Sequence, residues 1–392
     1  MTYLKSFLTY RILFLFLFLF FTFVKVNAEE AEILTPSAPT IAASSYILQD
    51  YNTGKVLAEN NADAKLAPAS LTKILTVYVV FKEIKNGHLH LEDLVTISQN
   101  AWKTSGSKMF VKVNDQVKVV DLLKGVIIQS GNDASVALAE HVAGNEATFA
   151  ELMNQHATRL GMTNSHFENS DGLPGEKHYT SARDLGILTT ALIKEFPEFY
   201  PWFSQKEFTY NKITQQNRNM LLGRDDSVDG VKTGHTEEAG YCLVASALRS
   251  GMRLISIVMG TESMVARANE NQTLLNYGFR FFESHRLYEG RKSINEARIW
   301  KGATENIALG LAEDLYVTIP RRRYNELKAS INVDKQIIAP VKAGDKLGSV
   351  TFKLKDELLT TKDLIALNDV EKGGIFRRLY DSVLMMIKKN NG

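Results

Sequence analysis

The sequence predicts an α/β (α+β) domain whose early and late strands share one sheet, followed by a small all-β domain and a C-terminal amphipathic helix. Three observations carry this. Hairpin-like apolar runs stand near the start and strand-like runs stand late, with helical patterns between them. From about Leu287 short β-rich runs recur, separated by turn residues. After Gly373-Gly374 the stretch "IFRRLYDSVLMMIKK" has the apolar spacing of one helical face.

In chain order, Lys5 and Arg11 precede the apolar run Ile12 to Val24, and Val26-Asn27-Ala28 follows. A charged start, a short apolar run and a small residue predict a signal peptide over residues 1–28, so the protein is expected to be exported. The run is short for a membrane span of about 20 residues; an uncleaved signal anchor is the alternative. Cleavage would remove Lys5, Arg11 and Lys25 and no acid, taking the formal charge from +2 to −1. That balance carries no nucleic-acid signal. Residues 29–40 are polar with two prolines and read as a linker. The remaining chain is long enough for two domains. The single cysteine, Cys242, forms no internal disulfide and reads as a small buried apolar residue on a strand.

Tyr46–Leu48 and Lys55–Leu57 flank the turn Asp50–Gly54 as a hairpin. Helical patterns cover Ser70–Lys85, Asp133–Val142, Thr148–Leu160, Ala182–Glu195 and Ala268–Phe282. Strand patterns cover Val228–Lys232, Gly240–Ala247 and Arg253–Met259, and in the β domain Leu315–Ile319, Ala329–Val333, Gln336–Val341 and Lys346–Leu354. The domain boundaries follow as 41–285, 286–372 and 373–392. On the terminal helix Ile375, Phe376, Leu379, Tyr380, Val383, Met386 and Ile387 share one face. Arg377, Arg378, Asp381, Ser382, Lys388 and Lys389 share the other, and only Met385 is misplaced. A basic amphipathic helix suits a membrane surface. Docking on its own domain is the alternative, against which the loosening glycine pair argues.

The chemistry centres on "PASLTKIL". Lys73 opens a run, Ile74–Phe81, that is apolar nearly all the way round, so the helix is expected to be buried and its lysine must be paired or neutral. Ser70 stands three residues earlier, on the same helical face. A serine hydroxyl becomes a good nucleophile when a base takes its proton, and burial would lower the lysine pKa from its reference value of about 10.4 into a useful range. Alone, S-x-x-K is weak. Ser105-Gly106-Ser107-Lys108 also fits, but lies in a polar, glycine-containing stretch and reads as a loop. Of the S-x-N matches, Ser98–Asn100, Ser130–Asn132, Ser293–Asn295 and Ser330–Asn332, only Ser130-Gly131-Asn132 follows an apolar segment and opens a helix. Lys232-Thr233-Gly234 occurs once, at the end of a strand-like run. The three in this order and these contexts are a strong signal for a serine acyl-transfer site.

These motifs, with "KGVIIQSGNDAS", "TSARDLG", "VDGVKTGHTEEAGYCLVASA" and "NYGFRFFE", resemble the low-molecular-mass penicillin-binding proteins, the serine D-alanyl-D-alanine carboxypeptidases. The resemblance covers nearly all of the mature chain. It implies a penicillin-recognising transpeptidase-like fold with a five-stranded sheet packed by helices. It implies catalytic roles for Ser70 (nucleophile), Lys73 (base) and Ser130 (proton passage to the leaving group). It implies substrate binding by Asn132, Lys232 and Thr233 of the Lys232-Thr233-Gly234 motif, and an oxyanion hole from the backbone N–H groups of Ser70 and His235. Arg218 and Arg267 are weaker candidates for carboxylate electrostatics, with solvated surface arginines as the alternative. The implied substrate is the peptidoglycan pentapeptide stem, with β-lactams as inhibitors, at the periplasmic face of the inner membrane. No cofactor is implied. His88-Leu89-His90 lacks further Cys or His ligands for a metal. Two other functions share features with this reading: a serine β-lactamase, for which Glu168 and Glu176 lie in a suggestive loop, and a non-enzymatic, membrane-tethered peptidoglycan binder.

Overall fold

The computed structural model describes residues 35–390, with side chains through residue 387. The expected signal peptide and the first part of the linker lie outside the described residues. The chain from Pro36 onward is one compact unit. Pro36 and Pro39 already pack on it, their carbonyls accepting the hydroxyls of Tyr277 (2.9 Å) and Tyr46 (3.4 Å).

A five-stranded antiparallel sheet runs in the order Val56–Asn60, Ser45–Asp50, Met252–Thr261, Gly240–Arg249, Val228–Thr236. N- and C-terminal parts therefore share one sheet, as the pattern of early and late strands predicts. Period-two alternation gives it two buried faces. Ile47, Val244, Ile255 and Ile257 meet the large helical cluster that contains Phe81 and Phe196. Leu48, Leu243, Leu254 and Val258 meet Leu274, Leu275 and Phe279 of the helix Met264–Phe281. Apolar side chains on both faces explain why these strands read as near-continuous apolar runs.

The helices form close to where the periodicity places them: Asn132–Ala143, Glu146–Leu160 and Ala182–Glu195. Two starts differ. Met264–Phe281 begins four residues before the expected Ala268, because Ser263 accepts the Ala266 N–H and caps it. The segment expected as one helix from Ser70 is a 3-10 turn, Ala69–Thr72, followed by the α-helix Lys73–Lys85. Ser70 thus sits on the tighter turn ahead of the helix. The hairpin Glu207–Tyr210/Ile213–Gln216 is not legible in the sequence, since its strands are short and mostly solvated.

The β domain contains a six-stranded sheet in the order Leu327–Val333, Lys346–Leu354, Glu357–Ala366, Asn306–Gly310, Ser293–Trp300, Ile337–Ile338. Strand Phe282–Tyr288 pairs with Leu315–Pro320. Of the expected strand Gln336–Val341 only Ile337–Ile338 forms, because Ala339-Pro340 interrupts it. Across the junction Thr53 Oγ1 meets Thr318 Oγ1 at 2.6 Å and Lys55 Nζ donates to the Thr318 carbonyl at 3.2 Å.

The terminal helix Ile375–Asn390 corrects one expectation. The glycine pair does not loosen its junction. Gly373 donates its N–H to the Lys301 carbonyl, and a Cβ on Gly373 would stand 2.6 Å from the Gly302 carbonyl oxygen. The helix lies on the β domain by its polar face, where Asp381 is buried and accepts the Lys301 N–H at 2.6 Å. Its apolar face is open: Phe376 is 90% exposed and Met386 68%. Among the described residues no helix is long and apolar enough to cross a membrane.

Candidate active site

Three elements converge on a cleft of about 420 Å³ lined by Ser70, Ser130, Arg218, Thr233, Gly234 and Arg267, among others. The first is the turn carrying Ser70 and the start of the helix carrying Lys73. Lys73 is buried among apolar residues of its own helix. Its Nζ reaches Ser70 Oγ at 3.1 Å and Asn132 Oδ1 at 2.7 Å, and it also donates to the Asp171 carbonyl. A neutral amine has two N–H donors and one lone pair. The ammonium fills its three N–H groups with Asn132 Oδ1, the Asp171 carbonyl and Ser70 Oγ; after losing a proton it keeps the first two partners and turns its lone pair to the Ser70 hydroxyl. Burial is the largest influence on Lys73; the Asp171 charge opposes it and the Arg218 charge reinforces it, and the result is a pKa pushed down to about 8.

The second element is the segment Gly125–Asn132. Gly125–Gln129 is a π-helical turn, and Ser130 ends it in the left-handed region, with φ at 64°. This backbone reversal aims the Ser130 hydroxyl at Lys232 Nζ, which donates to it at 2.8 Å. Asn132 is held from both ends: its N–H donates to the Ser107 carbonyl and its side-chain amide to the Ser105 carbonyl, both at 2.7 Å. The competing S-x-x-K copy is thus a loop, as its glycine and polarity suggest, and it serves as a scaffold for Asn132.

The third element is the edge strand Val228–Thr236, which carries Lys232, Thr233, Gly234 and His235. An edge strand leaves backbone groups unpaired along one side. It runs close beside the Ser70 turn, for a Cβ on Gly234 would stand 2.9 Å from the Pro68 carbonyl oxygen and 3.2 Å from Leu71. Only glycine permits that approach. Lys232 is buried and its pKa lies well below the usual lysine range, through burial first and then the positive charges of Lys73, Arg218 and Arg267. His235 is exposed and stacks on Tyr241 at 3.9 Å between ring centroids.

The ten residues singled out from the sequence for this chemistry lie on these elements or, like Arg218 and Arg267, line the cleft between them. Arg267, a candidate for carboxylate electrostatics with a surface arginine as the alternative, is buried and lines the cleft. Its guanidinium donates to the Gly234 carbonyl at 3.0 Å, and burial lowers its pKa to about 10. Sequence reasoning missed Asp133, whose buried carboxylate accepts the N–H groups of Met109 (2.8 Å) and Phe110 (2.9 Å) and so fixes the loop that holds Asn132. An acid directly after Asn132 in a helix's first turn was the available signal. It also missed the Asp171 carbonyl, a backbone group with no side-chain signature. The loop bearing it is pinned behind the nucleophile turn. Thr72 Oγ1 bonds His178 Nε2 at 2.8 Å, while His178 Nδ1 accepts the Glu168 N–H, so Nε2 is the donor. Glu168 turns its carboxylate to the Lys177 N–H at 3.1 Å, so it is engaged within its own loop.

Comparison with known proteins adds an independent line. Residues 32–263 match the family described as D-alanyl-D-alanine carboxypeptidase, and residues 282–372 match the penicillin-binding protein 5 C-terminal domain. The chain is 46% identical over 359 residues to D-alanyl-D-alanine carboxypeptidase DacC of Escherichia coli, covering 90% of each. It is 43% identical over 387 residues to DacA of Haemophilus influenzae, covering 97% of this chain and 98% of that one. The solved penicillin-binding protein 5 of Haemophilus influenzae superposes with a TM-score of 0.82 at 43% identity, covering 86% of this chain and 100% of that one.

Proposed function

The chain belongs to the D-alanyl-D-alanine carboxypeptidase family and is a serine-type peptidase of that class, and we propose that Ser70 is its nucleophile and Lys73 the base that activates it. The observation that carries this is the buried Lys73 Nζ, set between the Ser70 hydroxyl and two acceptors that fill its N–H groups. At a pKa of about 8, roughly one molecule in ten carries the free amine at pH 7, against fewer than one in a thousand at the reference value.

The Ser70 oxygen attacks the carbonyl of the penultimate D-alanine as its proton passes to Lys73 Nζ. The developing oxyanion accepts from the backbone N–H groups of Ser70 and His235, on the turn and the edge strand that Gly234 brings together. Ser130 delivers its proton to the leaving nitrogen and regains one from Lys232 Nζ, which donates to it at 2.8 Å, and the terminal D-alanine departs. Water then attacks the ester, its proton returning through Ser130 to Lys232, and the departing Ser70 oxygen takes back the proton held by Lys73. The substrate's terminal carboxylate meets Thr233 and the positive field of Lys232, Arg218 and Arg267. These groups repel one another in a buried site, and a bound carboxylate offsets that repulsion. Asn132 orients the substrate's backbone amide. A β-lactam acylates the same serine and turns over slowly because its leaving group stays tethered.

The natural substrate in this reading is the peptidoglycan pentapeptide stem, met at the periplasmic face of the inner membrane after export. Free D-alanine is expected from a peptide ending in D-Ala-D-Ala, with release blocked after penicillin acylation and nitrocefin turned over slowly. Rapid nitrocefin turnover with no D-alanine release would favour a β-lactamase instead.

The open apolar face of Ile375–Asn390 supports peripheral attachment. Deleting residues 373–392 from a chain that keeps its first 28 residues is expected to move active enzyme from the membrane pellet to the soluble periplasmic fraction. Each of about seven apolar side chains contributes about 1 kcal/mol on partial insertion. Peptide hydrolysis stays unchanged, since every motif residue precedes Gly240. Continued pelleting of the truncated, signal-cleaved protein would refute the attachment.

A further inference from the structure

A groove of about 610 Å³ separates the terminal helix from the β domain. Trp300, Met385 and Met386 supply its apolar part, and Lys301, Lys335 and Ser382 its polar part. No carboxylate lines it, and among the described residues neither lysine forms an ion pair.

The helix cannot roll freely to close this groove. Buried Asp381 accepts the Lys301 N–H at 2.6 Å and pairs with Arg298 at 3.2 Å, while Arg377 pairs with Glu305 at 3.3 Å. Releasing that latch would leave a buried carboxylate unpaired. Arg298 in turn lies over the Trp300 ring, 4.1 Å from its centroid, and so holds one wall. The latch therefore fixes the helix with its apolar face outward and the groove open beside it. Met386 belongs to both surfaces: it lines the groove and is exposed on the apolar face.

We propose that this groove binds the headgroup of an anionic membrane phospholipid, its phosphate between Lys301 and Lys335 and the start of its acyl chain along Met385 and Met386. Charge complementarity selects the phosphate, and the continuity of groove and apolar face through Met386 selects a lipid as its source. A phosphodiester supplies the acceptors that the two lysine side chains lack within the protein, whereas the Ser382 hydroxyl already donates to the Arg378 carbonyl at 2.7 Å. The inference rests on the attachment reading above, and it adds a defined lipid site to what would otherwise be diffuse attraction of cations to a charged surface.

The test uses the full mature chain with sedimented vesicles of phosphatidylcholine, with and without phosphatidylglycerol. The variant Lys301→Ser/Lys335→Ser is compared with Lys328→Ser/Lys353→Ser, which removes the same charge from exposed strand positions of the same domain. The groove variant is expected to lose roughly thirtyfold in affinity for phosphatidylglycerol vesicles, the effect of two headgroup-contacting lysines. Its binding to pure phosphatidylcholine should stay at the wild-type level through the apolar face. The control variant should lose no more than about threefold. Unchanged hydrolysis of a D-Ala-D-Ala peptide shows that both variants are folded. Equal losses in the two variants, or none in the groove variant, overturn the lipid site while leaving attachment standing. Failure of the wild-type chain to bind either vesicle overturns attachment and the lipid site together.

Discussion

Ser70→Ala is expected to abolish D-alanine release and penicillin labelling together, by at least about 10⁴-fold, with the fold intact. Ser70 is half-buried at the mouth of the cleft, and its Oγ makes one hydrogen bond, to Lys73 Nζ. Removing the hydroxyl takes one partner from Lys73 Nζ, which keeps Asn132 Oδ1 and the Asp171 carbonyl, and opens no cavity in the core. Circular dichroism and thermal unfolding should therefore match the unaltered protein. The comparison that sharpens the result is Ser105→Ala. Ser105 belongs to the same four-residue pattern with Lys108, yet its contribution is a backbone carbonyl that accepts from Asn132. That carbonyl survives the substitution, so Ser105→Ala should retain labelling and most of the activity. Labelling lost in Ser105→Ala and kept in Ser70→Ala would reverse the assignment.

Lys73→Arg is expected to be nearly as damaging as Lys73→Ala, each lowering acylation by about 10³- to 10⁴-fold. Arginine keeps the charge but does not give up its proton in the working pH range. It also needs five donor partners where the site offers three atoms: Ser70 Oγ, Asn132 Oδ1 and the Asp171 carbonyl. If Lys73 were an electrostatic anchor alone, arginine would retain much of the rate. A lysine base also imposes a pH dependence. Burial lowers the folded-state pKa to about 8, so the fraction of free amine grows as pH rises through that value. Stopped-flow acylation by a β-lactam should accelerate from pH 6 to about 9 and then level off. A rate that is flat across that window, or that falls as pH rises through 8, contradicts a general-base lysine.

Much of this was legible from residue pattern because the site is built on buried, regular elements. The run after Lys73 is apolar on every side, so burial of the helix, and with it the depressed lysine pKa, could be argued from sequence. That Lys232 lies on a strand followed from the short apolar run before it; that this strand is the sheet's edge and runs on to Thr236 did not. What was not legible belongs to the backbone. The 3-10 turn Ala69–Thr72 has a distant loop close against it, where a Cβ on Gly172 would stand 1.9 Å from the Ala69 carbonyl oxygen, a contact no local pattern shows. The Asp171 carbonyl is a partner that no side-chain pattern announces. Asp133 has a side-chain signal but acts at a distance of more than twenty residues in sequence, on the backbone of Met109 and Phe110. The terminal helix shows the opposite failure. Its amphipathic pattern is clear, but the glycine pair suggests a loose hinge, whereas Gly373 is small so that two backbones can meet. Composition identifies flexibility only where nothing packs against the glycine.

The central claim is that one serine, Ser70, carries the acyl group. Its most direct test is the mass of the protein after brief incubation with benzylpenicillin, followed by proteolysis and sequencing of the modified peptide. A single adduct per chain is expected, on the peptide that contains Ser70. An adduct on the peptide carrying Ser105 or Ser130, or a protein left unmodified while D-alanine release continues, would contradict it.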